Sequence, residues 1–320
     1  MSWHAVGGVA LGLALLASAC AASNDRGREA TTPTVASIFG VDGLVVSVDE
    51  GAGKYLERIS KAVFSPDGEA LLVSGQIGHD YYVLGLARDG RAERLSVEGM
   101  DVVGFGWMPD SRSVLVADAS VSDVLDDEPD HTALYEVGLD GNIRREIEMD
   151  RQLRVSNLAV SHSGDYAILS AVPPMPAVVA PTDLYRLDID TGKVEQLTDT
   201  PETYEEEPLI LTDDSVVFVT HEAVARISDD GALTTLAIAD GPASPTITAD
   251  GEQLLFAARV PTLGRTIGIY RVPVAGGDPE YLDIQGRYPA ASSTRPGFVV
   301  FVPGSPSRGG DLVWHELERS

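Results

Sequence analysis

The chain has 320 residues, of which 44% are hydrophobic and 22% are charged. This composition excludes wholesale disorder, a collagen-like chain and a coiled coil, and it predicts a globular protein with a sizeable core. The 23 basic and 49 acidic residues give a net charge of −26. Such an excess repels polyanions and argues against nucleic acid as a partner, and in other respects it is typical of a well-solvated surface.

The N-terminal segment has the pattern of an export signal. Residues 1–22 contain no Lys, Arg, Asp or Glu. The apolar core at residues 9–16 is too short for a bilayer span, which needs about 20 apolar residues, but it fits the apolar region of a secretory signal. Residues 1–19 are therefore predicted to be a signal peptide.

The segment Ala17-Ser18-Ala19-Cys20 places small residues before the only cysteine of the chain. It resembles the lipobox of bacterial lipoproteins, which implies a diacylglycerol thioether on Cys20 and an outer-membrane lipoprotein on the periplasmic or cell-surface side. The alternative is a plain signal peptide, cleaved near Ala19 or Ala22.

Residues 20–35 are small and polar and are predicted to be a flexible tether. A single cysteine cannot form an internal disulfide, so the domain at 36–320 must be stable without one.

One sequence unit recurs through this domain. Each copy has a small-residue turn, an apolar strand, a variable loop, an alternating strand, a second turn and a short strand. From Ser65 to the aligned Ser293 is 228 positions over five intervals, a mean of about 46 residues per unit. In the clearest copy, Pro66-Asp67-Gly68 is typical of a tight turn. The aligned turns are at residues 65–68, 108–111, 161–164, 211–214, 248–251 and 293–297.

The strand patterns predict an all-β fold. The second strand of each unit is a continuous apolar run, which indicates burial on both faces, whereas the third alternates. Its tyrosines (Tyr82, Tyr135, Tyr185 and Tyr270) are predicted to pack in the core rather than to stack on a ligand. Four strands in each unit of about 46 residues, with no amphipathic helix between them, predict a six-bladed β-propeller.

The ends of the domain are predicted to close the ring. Residues 43–49 and 55–59 look like the late strands of a blade, and the last unit ends after residues 312–317 without an outermost strand. Pairing of N-terminal and C-terminal strands in one mixed blade leaves no free sheet edge. Seven blades is the alternative, if the N-terminal strands begin a blade of their own.

Residues 64–73, together with residues 183–198, resemble the repeat of TolB-type propellers. The resemblance covers residues 43–320 and implies a WD40-like propeller. If the resemblance extends to TolB itself, it implies a periplasmic binding protein that engages a peptidoglycan-associated lipoprotein. The repeat is specific for the fold and does not specify a function.

Loop lengths predict which side of the propeller binds a partner. Turns between first and second strands, and between third and fourth strands, share one side, which we call the turn face. Loops between second and third strands, and the connections between blades, share the other side, which we call the long-loop face. Because long loops on an economical scaffold commonly carry binding residues, we assign recognition to that face. Its longest loops are residues 119–132, 172–182, 259–266 and 303–310.

Three segments of the long-loop face supply the candidate partner-binding residues. Two are acidic runs, and the third is an apolar loop at residues 172–181 that is stiffened by prolines, which lower the cost of ordering a contact. Oxygen-rich runs can ligate Ca²⁺, but neither run has the spaced acidic pattern of a calcium loop, so no metal is predicted. The candidates are Asp126, Asp127, Glu128, Asp130, Met175, Val178, Val179, Glu205 and Glu206.

The sequence lacks a Gly-x-Ser-x-Gly elbow, a His-Glu-x-x-His motif and a phosphate-binding loop. We therefore expect a non-enzymatic, monomeric envelope protein without a cofactor, which binds an envelope protein or a peptidoglycan-associated lipoprotein. The alternative is a propeller hydrolase, such as a lactonase, with a channel metal held by carboxylates from different blades.

Overall fold

A computed structural model of the chain describes residues 47–48, 54–55, 58–77, 81–88, 91–95, 99–119, 131–174, 181–303 and 310–317. The chain divides into two compact units, residues 1–31 and 32–320, and all the described residues belong to the second unit. The predicted signal peptide, Cys20 and the tether lie outside the described residues. No helix within the described ranges is long and apolar enough to cross a membrane.

Six antiparallel sheets follow one another along the chain and are arranged in a ring, which confirms the predicted all-β, six-bladed propeller. Two short strands, β1 (Ser47–Val48) and β2 (Lys54–Tyr55), pair with each other ahead of the first blade. Within each blade the strands pair in sequence order, and the first strand is innermost. The first three blades are β3 (Arg58–Phe64), β4 (Ala70–Ile77), β5 (Tyr81–Arg88) and β6 (Arg91–Arg94); β7 (Val102–Trp107), β8 (Ser113–Asp118), β9 (Ala133–Gly138) and β10 (Ile143–Ile147); and β11 (Arg154–Val160), β12 (Tyr166–Val172), β13 (Asp183–Asp188) and β14 (Val194–Gln196).

The other three blades follow the same order, and the last has three described strands. Blades four to six are β15 (Glu206–Ile210), β16 (Val216–Val219), β17 (Ala223–Ile227) and β18 (Leu233–Ile238); β19 (Ala243–Ile247), β20 (Gln253–Arg259), β21 (Ile267–Pro273) and β22 (Glu280–Gln285); and β23 (Arg287–Ala291), β24 (Gly297–Pro303) and β25 (Gly310–Glu316). A 3-10 helix, Pro261–Leu263, lies in the loop between β20 and β21.

As predicted, tight turns join the first and second strands of each blade. Side chains within the turns stabilise them. In the first blade the Ser65 hydroxyl lies 2.6 Å from the Asp67 carboxylate, and the Glu69 N–H donates to that carboxylate at 3.0 Å. Gly68 takes a φ of 72°, which favours glycine. Thr248 and Asp250 form the same hydroxyl–carboxylate contact in the fifth blade, at 2.6 Å.

The core consists of layers between neighbouring blades. Leu71, Leu72 and Val73 on β4 are fully buried. Leu71 and Val73 pack towards the sixth blade, whereas Leu72 packs towards the second blade. This confirms that a continuous apolar run marks a strand with two buried faces.

The first and last blades close the ring through their faces. Phe64 and Trp314 meet edge to face, with ring centroids 6.3 Å apart, within a layer that includes Ile59 and Phe301. The Ser293 hydroxyl also donates to the Ser65 carbonyl at 2.9 Å. Hydrophobic burial therefore joins the two ends of the repeat array.

Residues 43–46, which were predicted to contribute to the last sheet, lie outside the described residues. The N-terminal pairing that the structure describes is between β1 and β2. Arg58 and Ile59, which were predicted to end a late strand, instead begin β3. That prediction was wrong because these two residues pair with Gln76 and Gly75 of β4, as the first strand of a blade does.

The tyrosine prediction is confirmed for two of the repeated positions. Tyr185 is fully buried and Tyr270 is nearly so. The Tyr270 hydroxyl donates to the Arg259 carbonyl at 3.1 Å, whereas the Tyr185 hydroxyl has no hydrogen-bond partner among the described residues.

This difference predicts that replacement of tyrosine by phenylalanine changes the free energy of unfolding in opposite directions at positions 185 and 270. Tyr185→Phe removes an unsatisfied buried hydroxyl, so we expect it to raise the free energy of unfolding by about 1 kcal/mol. The matched control Tyr270→Phe removes a made hydrogen bond and should lower it by about 1 kcal/mol. Urea denaturation of both variants measures the difference, and destabilisation by Tyr185→Phe would show that its hydroxyl is satisfied.

Candidate functional site

The innermost strand of each of the six blades has a β-bulge, and all six bulges lie at the same height along the channel axis, near the long-loop face. Each strand starts at that face, and its pairing with the second strand shifts within its first few residues. β-bulges of this kind redirect side chains and are common beside functional sites. The shifts fall between Ile59 and Lys61, Val102 and Gly104, Val155 and Asn157, Glu206 and Leu209, Ala243 and Thr246, and Arg287 and Ala290. We call this level the bulge ring.

In blades four to six the bulge spans two residues, and the second is a proline. The first residue of each bulge has a positive φ: 54° at Glu207, 53° at Ser244 and 52° at Tyr288. A non-glycine residue in this region stores about 1–3 kcal/mol of strain, and a following proline restricts its backbone further. Because backbone strain is concentrated at functional sites, strain at three equivalent positions makes the bulge ring a candidate functional site.

Lys61 reaches across the inside of this ring. It belongs to the first blade, yet its ammonium donates to the Asn157 side-chain oxygen at 3.5 Å and to the Leu158 carbonyl at 3.3 Å, both in the third blade. It also lies 5.3 Å from the ring centroid of Phe105 on β7. Glycine at position 104 of β7 allows the backbone of β11 to pack closely, because a Cβ there would lie 3.1 Å from the Asn157 Cα.

Glu207 projects into the same space from the fourth blade. Its carboxylate accepts a hydrogen bond from the Ser244 backbone N–H of the fifth blade. Burial raises the pKa of Glu207, and the Ser244 hydrogen bond and the Lys61 charge partly offset that rise. Burial likewise lowers the pKa of Lys61, and the Glu207 charge opposes it. Groups on five blades interact at the level of the bulge ring, which places them around the central channel.

A second polar cluster holds the connection between blades three and four. Glu205 is 1% exposed, and its carboxylate accepts hydrogen bonds from the hydroxyls of Thr198 and Thr200. The neighbouring Glu206 carboxylate accepts from Ser156 at 2.9 Å and from Thr182 at 3.0 Å. Glu205, one of the predicted partner-binding residues, is thus buried and bonded to local hydroxyls, and its binding role stays a prediction.

The Glu205 cluster predicts a pH dependence of stability. Burial raises the Glu205 pKa more than its hydrogen bonds lower it. A carboxyl with a raised folded-state pKa favours folding below the ordinary Glu range, near pH 4.5, and this contribution is lost as pH rises through the folded pKa. We therefore expect Glu205→Gln to gain stability relative to the wild type as pH rises from 4 to 7. Thermal unfolding across that range measures it, with Glu202→Gln on the exposed part of the same connection as control.

The other predicted partner-binding residues lie outside the described residues: Asp126, Asp127, Glu128, Asp130, Met175, Val178 and Val179. Their roles stay predictions. Sequence reasoning missed the bulge ring and the contact of Lys61 with the third blade. The available signal was the recurrence of Glu207-Pro208, Ser244-Pro245 and Tyr288-Pro289 at the start of three successive units. Within the described ranges, no three His, Cys, Asp or Glu side chains are grouped to hold a metal ion.

The chain is similar in fold to TolB proteins. The structure assigned to TolB from Agrobacterium tumefaciens has a TM-score of 0.56 and 17% identity, over 82% of this chain and 91% of that one. For TolB from Acinetobacter baumannii the TM-score is 0.53 and the identity 16%, over 83% of this chain and 66% of that one. An oligogalacturonate lyase from Vibrio parahaemolyticus has a TM-score of 0.52 and 14% identity, over 83% and 82% of the chains. The sequence matches neither a protein-family model nor a curated protein.

Proposed function

We propose that the protein is an exported, non-enzymatic envelope lipoprotein whose propeller binds a protein or peptidoglycan-associated partner through its long-loop face. The carrying observation is the bulge ring, which brings Lys61, Asn157 and Glu207 from three blades to the channel near that face. A preformed polar set inside a rigid scaffold is suited to recognition, because little order is lost when a partner binds.

The turn face offers less to a partner. Three of its carboxylates are occupied by their own turns: Asp140 accepts from Asn142, Asp188 from Thr191, and Asp250 from Thr248 and Glu252. These hydrogen bonds lower the pKa of all three carboxyls. The charged carboxylates are therefore stabilised, and they in turn stabilise the turns. This supports placing the interface on the opposite face.

The similarity in fold to TolB proteins supports a binding role in the envelope, and the signal-like N-terminus supports export. The oligogalacturonate lyase has the same kind of fold, so an enzyme remains the second candidate. In that case a metal-dependent hydrolase, such as a lactonase, would hold a stoichiometric metal in the channel. Metal analysis of the purified protein, with assays on a panel of lactones, distinguishes the two proposals.

Two matched pairs of substitutions test the binding face. Glu222→Arg with Arg265→Glu reverses exposed charges on the long-loop face, and Asp229→Arg with Arg112→Glu does so on the turn face. We expect capture from an envelope extract to lose its specific partner with the first pair and to keep it with the second. Loss with the turn-face pair alone would contradict the proposal.

The lipid anchor has its own test. Cys20→Ala should release the protein from the membrane fraction and abolish labelling by a fatty-acid analogue, with the fold unchanged. Membrane association and labelling that survive the substitution would show that Cys20 is not the anchor.

A further inference from the structure

The hydrogen-bond partners of Lys61 suit a neutral amine better than an ammonium ion. An ammonium ion has three N–H donors, whereas a neutral amine has two donors and one electron pair. Lys61 has two acceptors, the Asn157 side-chain oxygen at 3.5 Å and the Leu158 carbonyl at 3.3 Å, and both are uncharged. Both distances exceed the usual range of about 2.7–3.2 Å, so neither bond holds the charged form strongly.

Lys61 also lacks a close opposite charge. Among the described residues, no carboxylate oxygen lies within 4.0 Å of its Nζ. Glu207 favours the ammonium from a distance, but burial, which lowers the pKa of Lys61, has the larger effect. The Phe105 ring, 5.3 Å away, also favours the ammonium, although such a contact is weak compared with the solvation that a buried charge loses. At a given pH, more of Lys61 than of an exposed lysine is therefore the neutral amine.

The amine can be reached from the channel. Part of the surface of Lys61 remains exposed, and the residue lies in the bulge ring, near the long-loop face. When both N–H groups of the neutral amine are donated to Asn157 and Leu158, its electron pair has no protein partner. A desolvated lysine with a free electron pair is a nucleophile for carbonyl compounds.

Glu207 supplies a proton-carrying group in the same channel. Its carboxylate is held by the Ser244 backbone N–H, and its backbone is fixed by the strained bulge before Pro208. Burial raises the pKa of Glu207, so the carboxyl takes up a proton more readily than an exposed glutamate does. A carboxyl of this kind is suited to acid–base catalysis near neutral pH.

We propose that Lys61 is a covalent binding site for a small aldehyde, which it holds in the channel as an imine. The Nζ electron pair forms a bond to the carbonyl carbon, and the second electron pair of the carbonyl bond moves to oxygen. The two hydrogens of the amine then leave with that oxygen as one water molecule, so the C=N bond forms without an oxidant or a reductant. Glu207 relays the proton from nitrogen to the departing oxygen. This site goes beyond the proposed partner binding and does not depend on it.

Reductive trapping tests the site on the wild-type chain. The probe is propionaldehyde with sodium cyanoborohydride, which reduces an imine to a stable secondary amine. Peptide mass spectrometry then follows alkylation from pH 6 to 9 at each of the three lysines, Lys54, Lys61 and Lys193. Lys193 is exposed on the turn face and is the internal control. At pH 7 we expect Lys61 to react at least tenfold faster than Lys193, with the midpoint of its pH profile at lower pH.

A matched pair of variants tests the coupling to Glu207. Glu207→Gln removes a charge that favours the ammonium, so the midpoint of the Lys61 profile should move to still lower pH. Glu222→Gln, at an exposed position of the same blade, should leave it unchanged. Alkylation of Lys61 no faster than that of Lys193, equal midpoints for the two lysines, or a Lys61 midpoint that Glu207→Gln does not move would each overturn the proposal. The first two outcomes need only the wild-type protein.

Discussion

Replacement of Trp314 by alanine is expected to lower the free energy of unfolding by about 3–5 kcal/mol, as large-to-small changes of buried aromatic residues do. Trp314 is 4% exposed and packs against Phe64 in the layer between the last and first blades. The substitution therefore removes the largest side chain of the layer that closes the ring. Denaturant unfolding followed by circular dichroism measures the loss.

A double-mutant cycle separates ring closure from general core packing. Phe64→Leu and Trp314→Leu should show a coupling of about 0.5–1.5 kcal/mol, because the two rings meet edge to face. Phe218 lies between blades three and four, so Phe218→Leu should be additive with Trp314→Leu. A Trp314→Ala cost below about 1 kcal/mol would show that the first and last blades are not joined by this layer.

The substitution Gly192→Ala is expected to cost about 3 kcal/mol, because backbone strain and a steric clash combine. Gly192 has a φ of 70°, and an added Cβ would lie 1.9 Å from the carbonyl oxygen of Glu148. The turn that carries Gly192 contacts the end of the neighbouring blade, where the Asp150 N–H donates to the Gly192 carbonyl at 2.9 Å. The clash therefore separates two blades.

Gly231→Ala is the matched control, because Gly231 has a φ of 81° but nothing lies within 4 Å of an added Cβ. It should cost only the strain, about 1 kcal/mol. Thermal denaturation of both variants gives the comparison. Equal losses would mean that the close approach of blades two and three at Gly192 does not exist in solution.

The repeat made the fold predictable. In four of the six blades the turn between the first and second strands follows a Ser or Thr, as at Ser65 and Thr248, where the hydroxyl and a nearby Asp form the turn within a few residues. The apolar run at Leu71, Leu72 and Val73 reports burial between two layers. Both signals are local or repeated, so they can be recognised without knowledge of distant contacts.

The candidate site was less predictable because it depends on contacts between blades. Lys61 and Asn157 are 96 positions apart, and nothing in either unit alone indicates that they meet. The burial of Glu205 likewise results from Thr198 and Thr200, which convert an apparent acidic surface run into a structural cluster. Loop length directs attention to the long-loop face, whereas the polar groups of the candidate site lie at the bulges of the inner strands.

Site-specific photo-crosslinking tests the binding face most directly, with the photoreactive residue at His221 or at Asp229. Both positions are exposed and belong to the fourth blade, but His221 lies on the long-loop face and Asp229 on the turn face. The account predicts a specific crosslinked partner from position 221 and none from position 229. A partner that crosslinks from position 229, with none from position 221, would contradict it.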